Sequence, residues 1–359
     1  MEKIIFLAPY PTEKNLQDGF FVRVKNIDNI FASEKRLYLN VSITKNRKFR
    51  IETIDNNLTV VDANLFLHYN KIRKLLKRAN IYYAQSLHNY LWTIFFPFSK
   101  KKKVIWDVHG AVPEETSFHG KRFKAYLSAR IEAALARRVS LVVSVTNSMD
   151  KYLAKKYPKL TKNRIVFPIV NEHILKQEVN NEKVNLLRKE FDIAPENTVF
   201  MYSGGVTNKW QRFEDVLKVI KELKNPSYRF IILTGHLNEA KALIDKYGLT
   251  EKITVRKVQQ DELPEYYSLA HYGFILRDAH PLNHVAAPTK LLEYLHYGLK
   301  PIVDYKEIGD FFDLGCEYVY FKDVSDNLTP VKSEKNTAII EEIIKKDQKE
   351  LFASLVLQE

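Results

Sequence analysis

The stretch from Arg277 to Val303, RDAHPLNHVAAPTKLLEYLHYGLKPIV, constrains the fold more than any other part of the chain. It follows an apolar run, Tyr272 to Leu276, with the length and residue types of a buried strand. A loop comes next. Pro288 has the fixed φ that suits a first helical position, Thr289 carries a hydroxyl for the orphan backbone N–H groups, and Leu291, Leu292 and Leu295 recur at helical spacing. Gly298 marks the helix end, and Pro301, Ile302 and Val303 read as entry into another buried strand. The order strand, loop, helix, strand brings the helix N-terminus to the carboxyl end of a parallel sheet. There the unpaired backbone donors and the helix dipole favour an anion, phosphate above all. Lys290 adds positive charge in the first turn, and Glu293 lies about one turn further on, where a carboxylate can accept hydrogen bonds from a vicinal diol such as ribose. The pattern also fits an ordinary βαβ crossover with exposed Lys290 and Glu293, because such first-turn chemistry recurs in many α/β folds.

A chain of 359 residues exceeds a typical single core, so two domains are expected. With 45% hydrophobic and 28% charged residues and no low-complexity tract, the composition is globular. No repeat at solenoid spacing occurs, and no secretory leader is expected, since Met1 runs almost directly into the strand-like Ile4 to Ala8. The single Cys316 excludes an intramolecular disulfide framework and a cysteine-based structural zinc site, which points to the cytoplasm. Charge is divided unevenly. Residues 1–168 hold 31 Lys and Arg against 13 Asp and Glu, a formal +18, whereas the remainder is −5. Such a basic half expects a polyanionic partner: an acidic membrane surface, nucleic acid or a phosphorylated acceptor.

In the first half, Ile4 to Ala8 reads as a central parallel strand, and PYPTEKNLQDG as a loop ending at Gly19. A helix is expected over Phe20 to Phe31. Gly19 and Arg23 then fall at the ligand edge of the sheet, with Arg23 either facing an anionic group on a substrate or serving as a surface arginine. Strands are expected at Arg36 to Ile43 and Leu58 to Val61, and a helix at Lys71 to Arg78. Tyr82 to Phe98 is too polar and Pro-interrupted to span a bilayer. It reads as an inner helix, and Lys100 to Lys103 after it suits contact with anionic lipid. The strand Val104 to Asp107 leads to His109-Gly110, a candidate site where glycine admits close ligand approach and histidine can donate or accept a hydrogen bond. Glu114 and Glu115 either act on a substrate or are first-turn acids of the next helix. Leu141 to Val145 and Ile165 to Pro168 complete this half.

The charged, turn-prone Val170 to Glu196 suits a linker. Thr198 to Ser203 is a strand, Gly204-Gly205 a tight turn, and Phe213 to Leu223 an amphipathic helix. Lys209 and Arg212 lie between them, and glycines followed by a cation before a helix suit a diphosphate, or equally a plain turn with a solvated lysine. Strands at Phe230 to Thr234 and Ile253 to Val258 alternate with helices at Leu237 to Tyr247 and Leu263 to Ala270. The expected architecture is α/β, with two doubly wound parallel-sheet domains over 1–168 and 169–336. A helical segment over 337–359 follows, packing back on the first domain.

These features together resemble the GT-B glycosyltransferases, most closely the retaining family-4 enzymes of bacterial surface polysaccharide assembly. The resemblance covers nearly the whole chain and is strongest over Arg277, Asn283, Pro288-Thr289-Lys290, Glu293-Tyr294-Leu295, Gly298 and Pro301. DELPEYYSLAHYGFIL, YSGGVTNKW and VSVTNSM support it. It implies two Rossmann-like domains facing a cleft and a nucleotide-diphosphate-sugar held mostly by the second. By resemblance, Glu293 binds the ribose. Gly204, Gly205, Lys209, Thr289 and Lys290 surround the diphosphate, Arg277 and Asn283 belong to the supporting loop, and His109 approaches the donor sugar. Gly19 and Arg23 fall to the acceptor. The family's usual glutamate eight residues before Glu293 is here Val285, and its frequent arginine after the first strand of the second domain falls at Gly205, leaving Lys209 as the matched cation. The resemblance further implies transfer with retention, no cofactor and no metal. The expected acceptor is a lipid-diphosphate-linked glycan in capsule, O-antigen or exopolysaccharide assembly, and the expected location is the inner face of the cell membrane. A sugar-nucleotide epimerase or a phosphorolytic enzyme on the same fold is the alternative. A nucleic-acid-binding protein ranks lower, because no recognition motif accompanies the basic half and nucleic acid is not an expected partner.

Overall fold

Ile4, Ile5, Phe6 and Leu7 are all fully buried because helices cover both faces of the strand they form, β1 (Ile4–Leu7). The computed structural model describes residues 2–16, 18–97, 101–168, 172–207, 209–345 and 348–358. It divides into two units, the first comprising Met1–Ile169, His284–Ala287 and Asp347–Glu359, the second Val170–Asn283 and Pro288–Lys346.

After β1 the first unit runs through α1 (Gly19–Ile30), β2 (Arg36–Ser42), β3 (Arg50–Asp55), β4 (Leu58–Asn64) and α2 (Tyr69–Leu76). It continues with β5 (Ile81–Gln85), α3 (Ser86–Tyr90), β6 (Lys103–Val108), α4 (Val112–Phe118), α5 (Arg122–Ala136), β7 (Leu141–Ser144), α6 (Asn147–Lys156) and β8 (Arg164–Val166). The strand order is β3-β4-β2-β1-β5-β6-β7-β8. Every pairing is parallel except β3 with β4, so the expected purely parallel sheet is corrected at that edge. All six residues of β3 are exposed, and Arg50, Glu52 and Asp55 supply the charge that edge strands use against further pairing.

The second unit contains α7 (Glu172–Leu175), α8 (Asn181–Glu190), β9 (Thr198–Ser203), α9 (Phe213–Glu222), β10 (Tyr228–Leu233), α10 (Leu237–Lys246), β11 (Ile253–Arg256) and α11 (Leu263–Leu269). There follow β12 (Tyr272–Phe274), α12 (Pro281–His284), α13 (Thr289–His296), β13 (Lys300–Val303), β14 (Val319–Tyr320) and α14 (Glu334–Lys345). Its sheet, β11-β10-β9-β12-β13-β14, is parallel throughout. Val199 and Met201 of β9 enter one apolar cluster while Phe200 and Tyr202 enter another, so each sheet face carries its own core.

The expected C-terminal segment is divided. α14 belongs to the second unit, whereas α15 (Lys349–Leu357) packs in the first, where Phe352 and Val356 are fully buried and Phe352 stacks on Phe167 at 4.4 Å. Two other expectations change. Tyr82 to Phe98 begins as the central strand β5, whose Ile81–Gln85 residues are all buried between β1 and β6. A continuous apolar run of that length does not separate strand from buried helix by periodicity. The lysines after it are not a free cluster: Lys102 Nζ donates to Asn80 Oδ1 at 2.9 Å, and Lys103 Nζ donates to the carbonyls of Leu355 and Gln358 at 2.7 and 2.6 Å. Lys100 lies outside the described residues. No helix among the described residues is long and apolar enough to cross a membrane.

Candidate functional site

The second unit's candidate site lies at the carboxyl ends of β9 and β12, where α13 begins. Helix α13 starts at Thr289, one residue later than the sequence suggested, with Pro288 as its N-cap. Proline offers no side-chain acceptor, so the helix has no side-chain N-cap; the Leu291 N–H bonds the Pro288 carbonyl at 3.0 Å, and the polarity of this helix start favours an anion. A chain of hydrogen bonds fixes this end. Ser203 Oγ lies 3.1 Å from Tyr267 Oη, Tyr267 donates to Glu293 Oε2 at 2.7 Å, and Lys290 Nζ donates to the same oxygen at 3.1 Å. Burial, then the Glu293 charge, hold the Tyr267 phenol well above its ordinary value, which keeps it a donor. Glu293 itself is 1% exposed and one of its oxygens is committed to this network. Glu293 is thus buried and braces α13 with one oxygen, so the alternative of an ordinary crossover with exposed first-turn charges does not hold for it.

Tyr294 reaches back from α13 to accept the Ser203 N–H at 2.8 Å. Gly273 makes room for it, since a Cβ there would stand 2.3 Å from the Tyr294 ring. Beside this ring, Arg277 follows β12 with its Nη1 buried and without a hydrogen-bond partner. Burial pushes its guanidinium down from the ordinary value, and the neighbouring Tyr202, Tyr305 and Tyr294 act weakly the other way. A buried charged donor left unmade costs more than the roughly 1–3 kcal/mol of a neutral one, so this cation is placed to receive an acceptor.

The other expected donor residues divide. Asn283 is 4% exposed and gives its amide to the Asp278 carbonyl at 2.8 Å, so it staples the loop rather than presenting itself to a ligand. Gly204 donates its N–H to Leu233 O at 3.0 Å, extending the β9–β10 ladder, and the Gly205 carbonyl accepts from Tyr202. Lys209 opens a short 3-10 turn, and its side chain lies outside what is described. Arg212, with φ 48°, is held by Asp215 at 2.8 Å and by Asp304, which takes it away from the role of a free loop cation.

In the first unit, Arg23 is corrected outright. It is 1% exposed, and its guanidinium pairs with both oxygens of Asp107 at 3.1 Å and donates to the carbonyls of Phe167 and Pro168 at 2.8 and 3.0 Å. Four of its five N–H donors are thereby spent inside the unit. Burial alone would raise the Asp107 carboxyl, but Arg23 and then His109 override it and hold it at about 2. Gly19 opens α1, whose N-cap Asp18 already accepts the Phe20 N–H.

His109 follows β6 with Nε2 2.8 Å from Gln85 Oε1 and 3.6 Å from Asp107 Oδ1. His109 Nδ1 is buried with no partner, as is Gln85 Nε2. The next residue, Ser86, holds φ 67° in a conformation that non-glycine residues rarely adopt. Two unpartnered polar groups and a strained backbone thus stand together at the carboxyl edge of this sheet. Gln85, Ser86 and Tyr267 escaped the sequence reading, the first two because Tyr82 to Phe98 looked helical. Tyr267 stands inside the quoted stretch DELPEYYSLAHYGFIL but looks like any aromatic on a helix's apolar face. Val285, at the position where the enzymes the sequence resembles carry a glutamate, is 3% exposed in the first unit's core, and its carbonyl accepts from Thr146 Oγ1 at 3.0 Å.

No protein-family model matches the sequence, and no curated protein does. Solved structures match along nearly all of it. HepE from Anabaena, in complex with UDP and glucose, superposes with a TM-score of 0.64 at 14% identity over 99% of this chain and 93% of its own. Sucrose-phosphate synthase from Thermosynechococcus elongatus gives 0.65 at 11% identity over 100% and 92%. WaaG, a glycosyltransferase involved in lipopolysaccharide biosynthesis, gives 0.58 at 11% over 99% and 94%. These neighbours are GT-B glycosyltransferases, and the likeness establishes the fold: two Rossmann-like parallel-sheet domains of the GT-B kind.

Proposed function

We propose that the protein is a glycosyltransferase that takes a sugar from a nucleotide-diphosphate-sugar. The observation that carries this reading is the buried, unpartnered Nη1 of Arg277 beside α13, whose N-terminus no side chain caps. Negative charge grows on the diphosphate as the glycosidic bond breaks, and a fixed cation with helix N–H donors stabilises it without reorganisation. Glu293, held by Tyr267 and Lys290, orients the first turn and keeps its second oxygen for the ribose. His109, whose buried Nδ1 has no partner, forms a hydrogen bond with a sugar hydroxyl. That HepE was solved with UDP and with UDP-glucose supports a uridine nucleotide as the first to try. Transfer proceeds with retention and without a metal, in the manner of the family the sequence resembles. Among the described residues no cluster of acidic, histidine or cysteine side chains is arranged to hold an ion. The acceptor is a lipid-diphosphate-linked glycan of surface polysaccharide assembly, presented at the inner face of the cell membrane, to which the basic first half of the chain is drawn.

Thermal-shift titration with nucleoside diphosphates and their sugars tests the reading. One base should stabilise the wild type, and Arg277→Gln should weaken that ligand by about tenfold or more, the range for a charged hydrogen bond. No response to any nucleotide at saturation, or an unchanged response in the variant, overturns it. Labelled nucleotide sugar incubated without acceptor separates the epimerase alternative, which turns over, from a transferase, which hydrolyses its donor only slowly.

A further inference from the structure

Helix α5 carries large apolar side chains on its outer face as well as its inner one. Its inward face is built of Ala125, Ser128, Glu132, Leu135 and Ala136, with Leu135 fully buried in the first unit's core. Its outward face carries the large apolar side chains: Phe123 is 81% exposed, Tyr126 64% and Leu127 50%. The spacing 123, 126, 127, 130 is that of a single helical stripe, so these side chains stand together in solvent. Lone exposed apolar residues need no explanation, but a contiguous aromatic and aliphatic stripe does.

Charge identifies what covers it. Lys121, Arg122, Lys124, Arg130, Arg137 and Arg138 are all exposed on or beside α5, and the one acid of the segment, Glu132, is buried beneath Lys156 at 2.8 Å. The same face continues at Ala133 and Arg137 into a pocket of about 310 Å³ lined by Ala136, Tyr157, Pro158 and Leu160, with Lys156 and Lys159 also on its wall. Apolar floor and cationic rim thus repeat along the helix. At the pocket Lys156 is paired with Glu114 at 2.7 Å and Glu132 at 2.8 Å, so the cationic rim is that of α5 and its flanks, where every exposed charge is positive.

We propose that the outer face of α5, with the pocket at its C-terminal end, docks on an anionic phospholipid bilayer. Phe123, Tyr126 and Leu127 enter the headgroup and upper acyl region, as amphipathic interfacial helices do, and the six basic residues meet lipid phosphates. This moves the membrane contact from Lys100–Lys103, of which Lys102 and Lys103 bind backbone or side-chain oxygens of the chain itself, to a different helix. It deepens the membrane-facing part of the proposed function but stands on the surface of α5 alone.

The test is co-sedimentation of the full chain with vesicles of mixed phosphatidylglycerol and phosphatidylcholine, and of phosphatidylcholine alone. Wild type should pellet with the anionic vesicles and release at high salt. Phe123→Ser/Tyr126→Ser/Leu127→Ser should weaken vesicle affinity by about tenfold or more, and Arg122→Glu/Lys124→Glu likewise, with unchanged circular dichroism. The nucleotide-induced thermal shift should be the same in both variants, so loss of lipid binding and failure of the donor-site reading are told apart. Wild type that stays in the supernatant, variants that pellet as well as wild type, or a solution dimer that the triple variant dissolves, each overturns the proposal.

Discussion

His271 lies just before β12, 7% exposed, with its Nδ1 accepting the Val199 N–H at 3.0 Å. That acceptor role requires the neutral ring. Burial, and then the charges of Lys332 and Arg188, lower its pKa from 6.5 to about 4. Between those values the unfolded chain binds a proton that the folded chain refuses, so stability is whole above pH 6.5 and is lost progressively as pH falls towards 4. The loss should be on the order of 2–3 kcal/mol, measured as the difference in denaturation free energy between wild type and His271→Asn across that window. Parallel profiles for the two proteins would remove His271 from the account. Residues of this kind were hard to find in the sequence, since a lone histidine at a strand start carries no pattern. Arg23 shows the reverse error: its placement early in α1 holds, but its charge is spent on Asp107, a partner far away in sequence.

At the scale of elements, the alternation of strand and helix was plain in the second half. Thr198–Ser203 forms with the limits expected, and the helices beginning at Phe213, Leu237 and Leu263 end within one residue of expectation. Period and turn residues agree there, so local signals suffice. They failed at β5, where apolar composition is shared by strands and buried helices, and at β3, whose exposed residues give no alternation to detect. Helix α15 illustrates a dependence no local signal contains. Phe352 is fully buried against Phe31, Tyr83 and Phe167, with ring separations of 5.9, 6.3 and 4.4 Å, and Lys103 binds carbonyls at the end of the helix. Phe352→Ala should therefore cost about 3–5 kcal/mol in chemical denaturation, the range for a large aromatic deleted from a core. A change under about 1 kcal/mol would mean that α15 is only loosely attached.

For the whole molecule, the division of charge and of ligand chemistry follows the division of the chain. The first 168 residues hold the +18, including the basic rim of α5, while Arg277 and the uncapped start of α13 belong to the second unit. Hydrogen exchange in the presence of UDP should accordingly show its largest gain in protection over β9, β12 and α13. Protection confined to the first unit would place the nucleotide elsewhere. The GT-B resemblance was legible because the Arg277 to Val303 stretch keeps its motif residues, even though their detailed work differs from the simplest reading. The placement of α15 has a further consequence during synthesis. The strands that Phe352 covers leave the ribosome early, but the second unit is translated before Phe352 appears. The first unit is thus begun first and finished last, and a nascent chain halted before α15 exposes an aromatic face on which chaperones can act.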